Sequence, residues 1–204
     1  MKQNKIIRIE DHSFKTDIIK ALTDALFEDP AFVWLYRPDT YKKMSWLNHY
    51  YYNVAYQYRE IYTTKNKVLG ASLWLPPGQV ITFSDLLKNG LFAAPFNLGL
   101  RGSIKSLKAL VKNEKYKKKF APEKFWYLFS LGLIPDARGQ GLGEKLLRPV
   151  FDKADEKQEC CYCESSNSKN ISFYQRMGFK IQHQETVDGL PDSPVVYYLL
   201  RKPQ

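Results

Sequence analysis

The chain has 204 residues, enough for one ordinary domain with a real core, and its 44% hydrophobic and 15% aromatic content excludes a disordered polymer. No charge-free apolar run reaches the about 18 residues of a membrane span, and the basic start MKQNKIIRIEDH lacks the apolar stretch of a secretory signal, so the expected location is cytoplasmic with no membrane partner. The net charge of +10 suggests an anionic partner without saying which, while three cysteines crowded into CCYC (Cys160, Cys161, Cys163) exclude a disulfide framework.

In chain order, IIRIE reads as a short first strand, and Phe14, Ile18, Leu22, Ala25 and Leu26 recur at helical spacing until Pro30 breaks the pattern. SWLNHYYYNVAYQY continues as a helix with Trp46, Tyr50 and Val54 on one face, and EIYTTKNKVLGASLWLPPG reads as two strands around the turn KNK. From Ser84 to Lys119 a helical pattern interrupted by Gly90, Pro95, Gly99 and Gly102 predicts two or three short helices, an insertion near residues 84–119. Its basic run KNEKYKKKFAPEK reads as a solvated helix end whose cations complement the dipole.

KFWYLFSLGLIP is apolar throughout and suits a central strand covered on both faces, and CCYCESS is a second such run after an intervening helix, which makes the two a parallel pair with a right-handed crossover. Cys160 and Cys163 spell C-x-x-C without a second cysteine pair, and His12, His49 and His183 have no zinc-ligand spacing, so the thiols read as buried strand residues and no metal is expected. The remainder gives a short helix stopped by Gly178, a strand from Phe179, a turn around DGLPDSP and a final strand VVYYLL. The class is mixed α/β in a single domain, 1–204, with no repeat and no dividing linker.

Between the buried strand and its crossover helix stands IPDARGQGLGEKLL. The dinucleotide fingerprint fits Gly139 and Gly141 but needs glycine where Glu144 stands, and the Walker pattern needs Lys at that same position, so both fail. What remains is Arg-x-x-Gly-x-Gly opening a helix whose core face is Leu142, Leu146, Leu147, Val150, Phe151 and Ala154. Unpaired N–H groups at a helix start and absent β-carbons leave room for an anion there, a diphosphate included, with Arg138 adding a charged contact at the rim. The same glycines also suit a strand-to-helix turn that holds nothing.

These residues resemble the GNAT superfamily of acyl-CoA-dependent N-acyltransferases, whose hallmark Gln/Arg-x-x-Gly-x-Gly/Ala is matched by Arg138, Gly141 and Gly143. The family's second motif, Asn-x-x-Ala-x-x-Leu-Tyr-x-x-x-Gly-Phe, is met in SNSKNISFYQRMGF by Asn167, Phe173, Tyr174, Gly178 and Phe179, with Asn170 in place of the alanine. The two motifs cover roughly Trp126 to the C-terminus.

The resemblance implies a mostly antiparallel mixed sheet with a central splayed parallel strand pair flanked by helices. It also implies acetyl-CoA as co-substrate, its diphosphate on Arg138, Gly139, Gln140, Gly141, Leu142 and Gly143, and its amide-bearing arm along Leu131, Gly132 and Leu133. Gly132 inside an apolar strand suits either a bulge at a ligand or tight packing against an aromatic neighbour. By register Tyr174 is the acid for the leaving thiolate, and Asn167 and Asn170 bond the arm or phosphates unless they serve as helix caps. Many family members carry a Glu on the strand before the glycine turn, yet FWYLFSLGL has no carboxylate. Glu164 at the end of the neighbouring strand is the first candidate for the base, and Asp29 in the early EDP turn the second.

The expected activity is transfer of an acetyl group from acetyl-CoA to a primary amine of a small molecule, by direct attack in a ternary complex. A protein or peptide amine is the alternative acceptor, and a non-catalytic acyl-CoA sensor stays open because of the missing strand carboxylate. Nucleic acid is suggested by charge alone, with no motif to accompany it. Pairing of two chains through their final strands is left open.

Overall fold

A computed structural model describes residues 4–79, 88 and 90–204. Seven strands form one sheet: β1 (Ile6–Arg8), β2 (Ile61–Thr64), β3 (Gly70–Leu75), β4 (Phe125–Leu133), β5 (Cys160–Ser165), β6 (Phe179–Thr186) and β7 (Val195–Arg201), in the order β1-β2-β3-β4-β5-β7-β6. Every neighbouring pair is antiparallel except β4 and β5, which run parallel at the centre. The apolar runs suit those central places, where side chains on both faces of the sheet are covered by helices.

Among the described residues four helices lie on one face: α1 (Lys15–Leu26), α2 (Pro30–Tyr36), α3 (Thr40–Tyr56) and α4 (Ala94–Phe120). Their cluster joins Ile18, Leu22, Leu35, Tyr36, Met44, Tyr52 and Leu98 to Leu73, Tyr162 and Tyr198 from the sheet. The other face carries α5 (Leu142–Glu156) and α6 (Ile171–Arg176), with Leu146, Leu147, Val150 and Phe151 packed on Trp74, Trp126 and Leu128. All six residues expected on the core face of α5 are buried, and each large one stabilises the fold by about 1.5–3 kcal/mol.

One detail departs from expectation. Pro30 ends the first helical pattern and also starts α2 from its first turn, where a missing N–H costs nothing, with Asp29 as the N-cap accepting from Ala31 N at 3.1 Å. The insertion is in pieces as expected: a 3-10 turn at Leu91–Ala93 leads into Ala94–Phe120, which is two helices joined across a kink at Gly99 (φ 75°, ψ 160°), the second much the longer. Residues 84–87 and 89 of the expected insertion lie outside the described residues. The three cysteines are free, Cys161 and Cys163 fully buried, and burial pushes the Cys161 thiol up to about 12. Among the described residues no helix is long and apolar enough to cross a membrane.

Candidate active site

The parallel ladder between β4 and β5 is short. Phe125 opposes Cys160, Trp126 opposes Cys161 and Tyr127 opposes Tyr162, and there the pairing stops although both strands continue. On its other side β4 pairs with β3 through a one-residue register shift, Leu73 opposing Ser130 and Trp74 opposing Leu128, so Phe129 is the extra residue. One inserted residue exchanges the faces of everything beyond it. Tyr127 and Phe129 therefore pack with the α1–α4 cluster, while Leu131 and Leu133 pack with the α5 cluster.

The same alternation decides which amides face the gap. Ile134 N donates to Leu69 O at 2.9 Å, so residue 132, two positions back, also points its main chain at β3, and Leu131 and Leu133 point theirs away from it. The Leu133 carbonyl, which accepts from Arg138 Nε at 3.3 Å, agrees. Of the three residues assigned to an extended ligand arm, Leu131 and Leu133 thus line the gap and Gly132 does not. Gly132 has a packing reason instead, since a β-carbon there would stand 2.7 Å from Ala25 Cβ and 3.1 Å from Leu22 Cδ2. The bulge lies at Phe129, and the neighbour that demands glycine is an aliphatic helix rather than an aromatic ring.

At the end of β4 a 3-10 turn, Pro135–Ala137, leads into the glycine turn. Gly139 (φ 74°) and Gly141 (φ 71°) are both left-handed, a conformation that costs other residues about 1–2 kcal/mol, and a β-carbon on either would meet nothing within 4 Å. Gly141 is the N-cap of α5 and no side chain caps the helix, so the first amides from Leu142 onward have no acceptor within the helix. Exposed glycines, open space and outward amides form a cradle with the chemistry for a phosphate group. Leu142, 2% exposed, anchors the turn in the core. Gly143 is different in kind, because a β-carbon there would come within 3.0 Å of the Phe173 ring, and its absence lets α6 close on α5. Gln140 is exposed and donates to Asp136 O at 2.9 Å, and Arg138 braces the turn on Leu133 O and on Ala25 O (3.2 Å).

Tyr174 and Glu164 lie on opposite faces of β5. Tyr174, on α6, is buried in the α5 cluster with Cys163, and burial pushes its phenol well above its ordinary range, with the Cys163 and Asp29 charges adding to the rise. It therefore stays protonated. Glu164, one position on from Cys163, turns to the α1–α4 side. Its Oε2 accepts from Tyr127 OH at 2.8 Å, whereas its buried Oε1 accepts no well-aligned bond, the Tyr162 hydroxyl standing near enough to help hold the charge. Burial pushes the carboxyl up to about 7, opposed by Lys117 and by the Tyr127 bond. Lys117 stands over the Tyr127 ring, 4.6 Å from its centroid. A carboxyl half charged at neutral pH with one free oxygen can take a proton.

The other assigned polar residues divide. Asp29 accepts from Ser166 Oγ, just past β5, as well as from Ala31 N, and burial raises its pKa. Its Oδ1 is thus committed to tying α2 to the end of β5. Asn167 caps the 3-10 turn Ser168–Asn170, accepting from Lys169 N at 3.1 Å, and exposed Asn170 makes no capping bond. Sequence reasoning missed Tyr127, Lys117 and Ser166. Tyr127 had a readable signal, being at the same strand parity as its neighbour Phe125 on a strand devoid of carboxylates; Lys117 and Ser166 become neighbours of the site only through tertiary packing.

Residues 103–179 match the family model described as Acetyltransferase (GNAT) family. An uncharacterized N-acetyltransferase of Schizosaccharomyces pombe is 27% identical over 97% of this chain and 83% of its own length. Among solved structures, histone acetyltransferase HPA2 and related acetyltransferase from Corynebacterium glutamicum superposes with TM-score 0.66 at 20% identity, over 98% of this chain and 96% of that one. Arylalkylamine N-acetyltransferase 2 from Aedes aegypti does so with TM-score 0.68 at 15% identity, over 98% and 99%. Likeness at these identities establishes a shared fold.

Proposed function

With the chain a GNAT-family N-acetyltransferase, we propose that its acceptor is the primary amine of a small molecule, whose nitrogen attacks the acetyl-CoA thioester directly in a ternary complex, with no covalent enzyme intermediate. The observation that carries the proposal is the gap between β4 and β5: an amide-lined glycine turn at its end, a carboxyl near neutrality on one face and a protonated phenol on the other.

In this scheme the amides from Leu142 onward donate to the diphosphate oxygens, and Leu131 and Leu133 pair with the amide-bearing arm as a further strand would. One of those two amides polarises the thioester carbonyl. Glu164 Oε1 takes the proton that the acceptor ammonium must lose before its nitrogen can attack, and Tyr174 returns a proton to the departing thiolate. Tyr127 holds Glu164 in place through Oε2, leaving the second oxygen for the acceptor. Asn167 and Asn170, just past the end of β5, bond the arm or the phosphates in this scheme. The 204 residues act as one catalytic domain in this proposal.

A small acceptor is favoured by the aromatic surround of Glu164, formed by Tyr51, Tyr127, Phe129 and Tyr162, because compact apolar walls with one charged group suit a small organic amine. The arylalkylamine enzyme of the same fold acts on such amines by its name, and the histone acetyltransferase of the same fold marks a protein amine as the second reading. Two measurements test this. Acetyl-CoA at a hundred times its Kd should stabilise the fold by about 2.7 kcal/mol, with NADH and ATP doing much less. Thiol release across a panel of small amines and a lysine peptide should then be fastest with a small amine; release only with the peptide would move the acceptor class, and none at all would leave a sensor.

A further inference from the structure

One surface of the molecule is not explained by the site. Along α4 and the turn before it, Phe92 (70% exposed), Phe96 (90%), Leu100 (71%), Ile104 (49%), Leu107 (60%) and Val111 (63%) stand in solvent. From Leu100 onward, after the break at Gly99, the spacing is four, three and four residues, which places these side chains in one stripe along a single helix face. The opposite side of α4 is the one that packs, through buried Leu98, Gly102 and Ala109, with Ser106 bonded to Tyr36 and Asn113 to Tyr198.

Cations border this stripe. Arg101, Lys108 and Lys115, seven residues apart, are exposed on one flank, and Lys118 and Lys119 are exposed at the end. Residues 91–120 hold eight Lys and Arg against one acid, Glu114, which is paired with Lys117. The segment thus accounts for seven of the chain's ten net positive charges, so its charge belongs to this surface rather than to the protein at large.

We propose that this face of α4, together with the exposed Phe92 and Phe96 ahead of the break at Gly99, docks on an anionic lipid surface, with these two rings, Leu100, Leu107 and Val111 entering the acyl boundary and the flanking cations against the lipid phosphates. A second copy of the chain is disfavoured by the same residues, since pairing two such stripes would bring like-charged flanks together. The stripe is also convex and offers a partner protein no groove, whereas a bilayer accepts protruding aromatic and aliphatic side chains without one. The inference stands apart from the acetyl-transfer chemistry, and it runs against two sequence expectations, the absence of a membrane partner and the solvated basic helix end.

The test is flotation of the full chain with vesicles of phosphatidylcholine alone or with roughly a third phosphatidylglycerol. The chain should float with the anionic vesicles only, and less as salt is raised. The variant Phe96→Ser with Leu107→Ser should lose partitioning by about tenfold or more, while its melting temperature and its response to acetyl-CoA stay unchanged. Lys108→Glu with Lys115→Glu probes the same face through its rim and should also reduce flotation. No flotation with anionic vesicles, or flotation that both variants leave intact, overturns the proposal. So does a dimer in sedimentation equilibrium that Phe96→Ser with Leu107→Ser dissolves, which would assign the face to a second copy.

Discussion

The face of the sheet under α5 and the face under α1 to α4 serve one gap by different means. Under α5 the groups proposed to hold the cofactor are main-chain amides and carbonyls, set by a single strand-turn-helix unit in which glycines at 139 and 141 free the backbone and Gly143 admits the Phe173 ring, and one side chain, Tyr174, joins them. On the opposite face the useful groups are side chains gathered from distant segments: Glu164 from β5, Tyr127 from β4, Lys117 from α4 and Tyr51 from α3. Backbone sites are contiguous in sequence and side-chain sites need not be. A cofactor shared by many enzymes suits the first kind of site, and an acceptor that differs between them suits the second.

Substitutions can break this division or sharpen it. The largest effect is expected from Tyr174→Phe, which removes the acid without altering the fold of α6: turnover should fall by about a hundredfold or more with the acetyl-CoA response retained, checked by steady-state kinetics beside a thermal shift. Glu164→Gln should lower kcat/KM by a comparable factor of about a hundred above neutrality. It should also abolish the rise in activity through the carboxyl's pKa of about 7. Its stability should move the other way. Because the folded chain holds the Glu164 proton more tightly than the unfolded chain does, this group's contribution is full at acid pH and is lost as pH rises through about 7. Glu164→Gln should accordingly melt above the parent at pH 8, a gain that disappears at pH 5.

On the backbone side, Gly141→Val should remove most of the about 2.7 kcal/mol stabilisation by acetyl-CoA at the concentration where the parent shows it. The unliganded fold should lose about 1–2 kcal/mol through the left-handed φ, both read in one melting series. Smallest for the chemistry is Gly132→Ala. It presses on Ala25 and should cost about 1–3 kcal/mol in denaturant titration, yet leave acetyl-CoA affinity within a few-fold, because residue 132 turns its main chain to β3. Loss of cofactor affinity in that variant would return Gly132 to the gap.

Local features were readable from the sequence. The core face of α5, the parallel order of β4 and β5, the stop at Gly178 and the glycine turn each depend on neighbours a few residues away, so periodicity and turn chemistry reach them. Glu164 could be named a candidate because it ends a buried strand, but its elevated pKa comes from burial under distant segments, with Lys117 and Tyr127 acting against the rise, and no spacing encodes that packing. Asp29 shows the converse. Its position before Pro30 marks an N-cap, and the cap and the Ser166 bond are what occupy its Oδ1. Phe129 carries no signal at all, since the extra residue is defined only against the register of β3.

That single surplus residue makes β4 a device with two settings. Deleting one amino acid between Tyr127 and Leu131, or adding one, would rotate the distal half of the strand by half a turn: glycine would swing under α5, and two leucines would be driven into Ala25 and Leu22. A change of two would restore the orientation. The segment should therefore tolerate length variation only in even steps, a parity constraint on how this enzyme can drift.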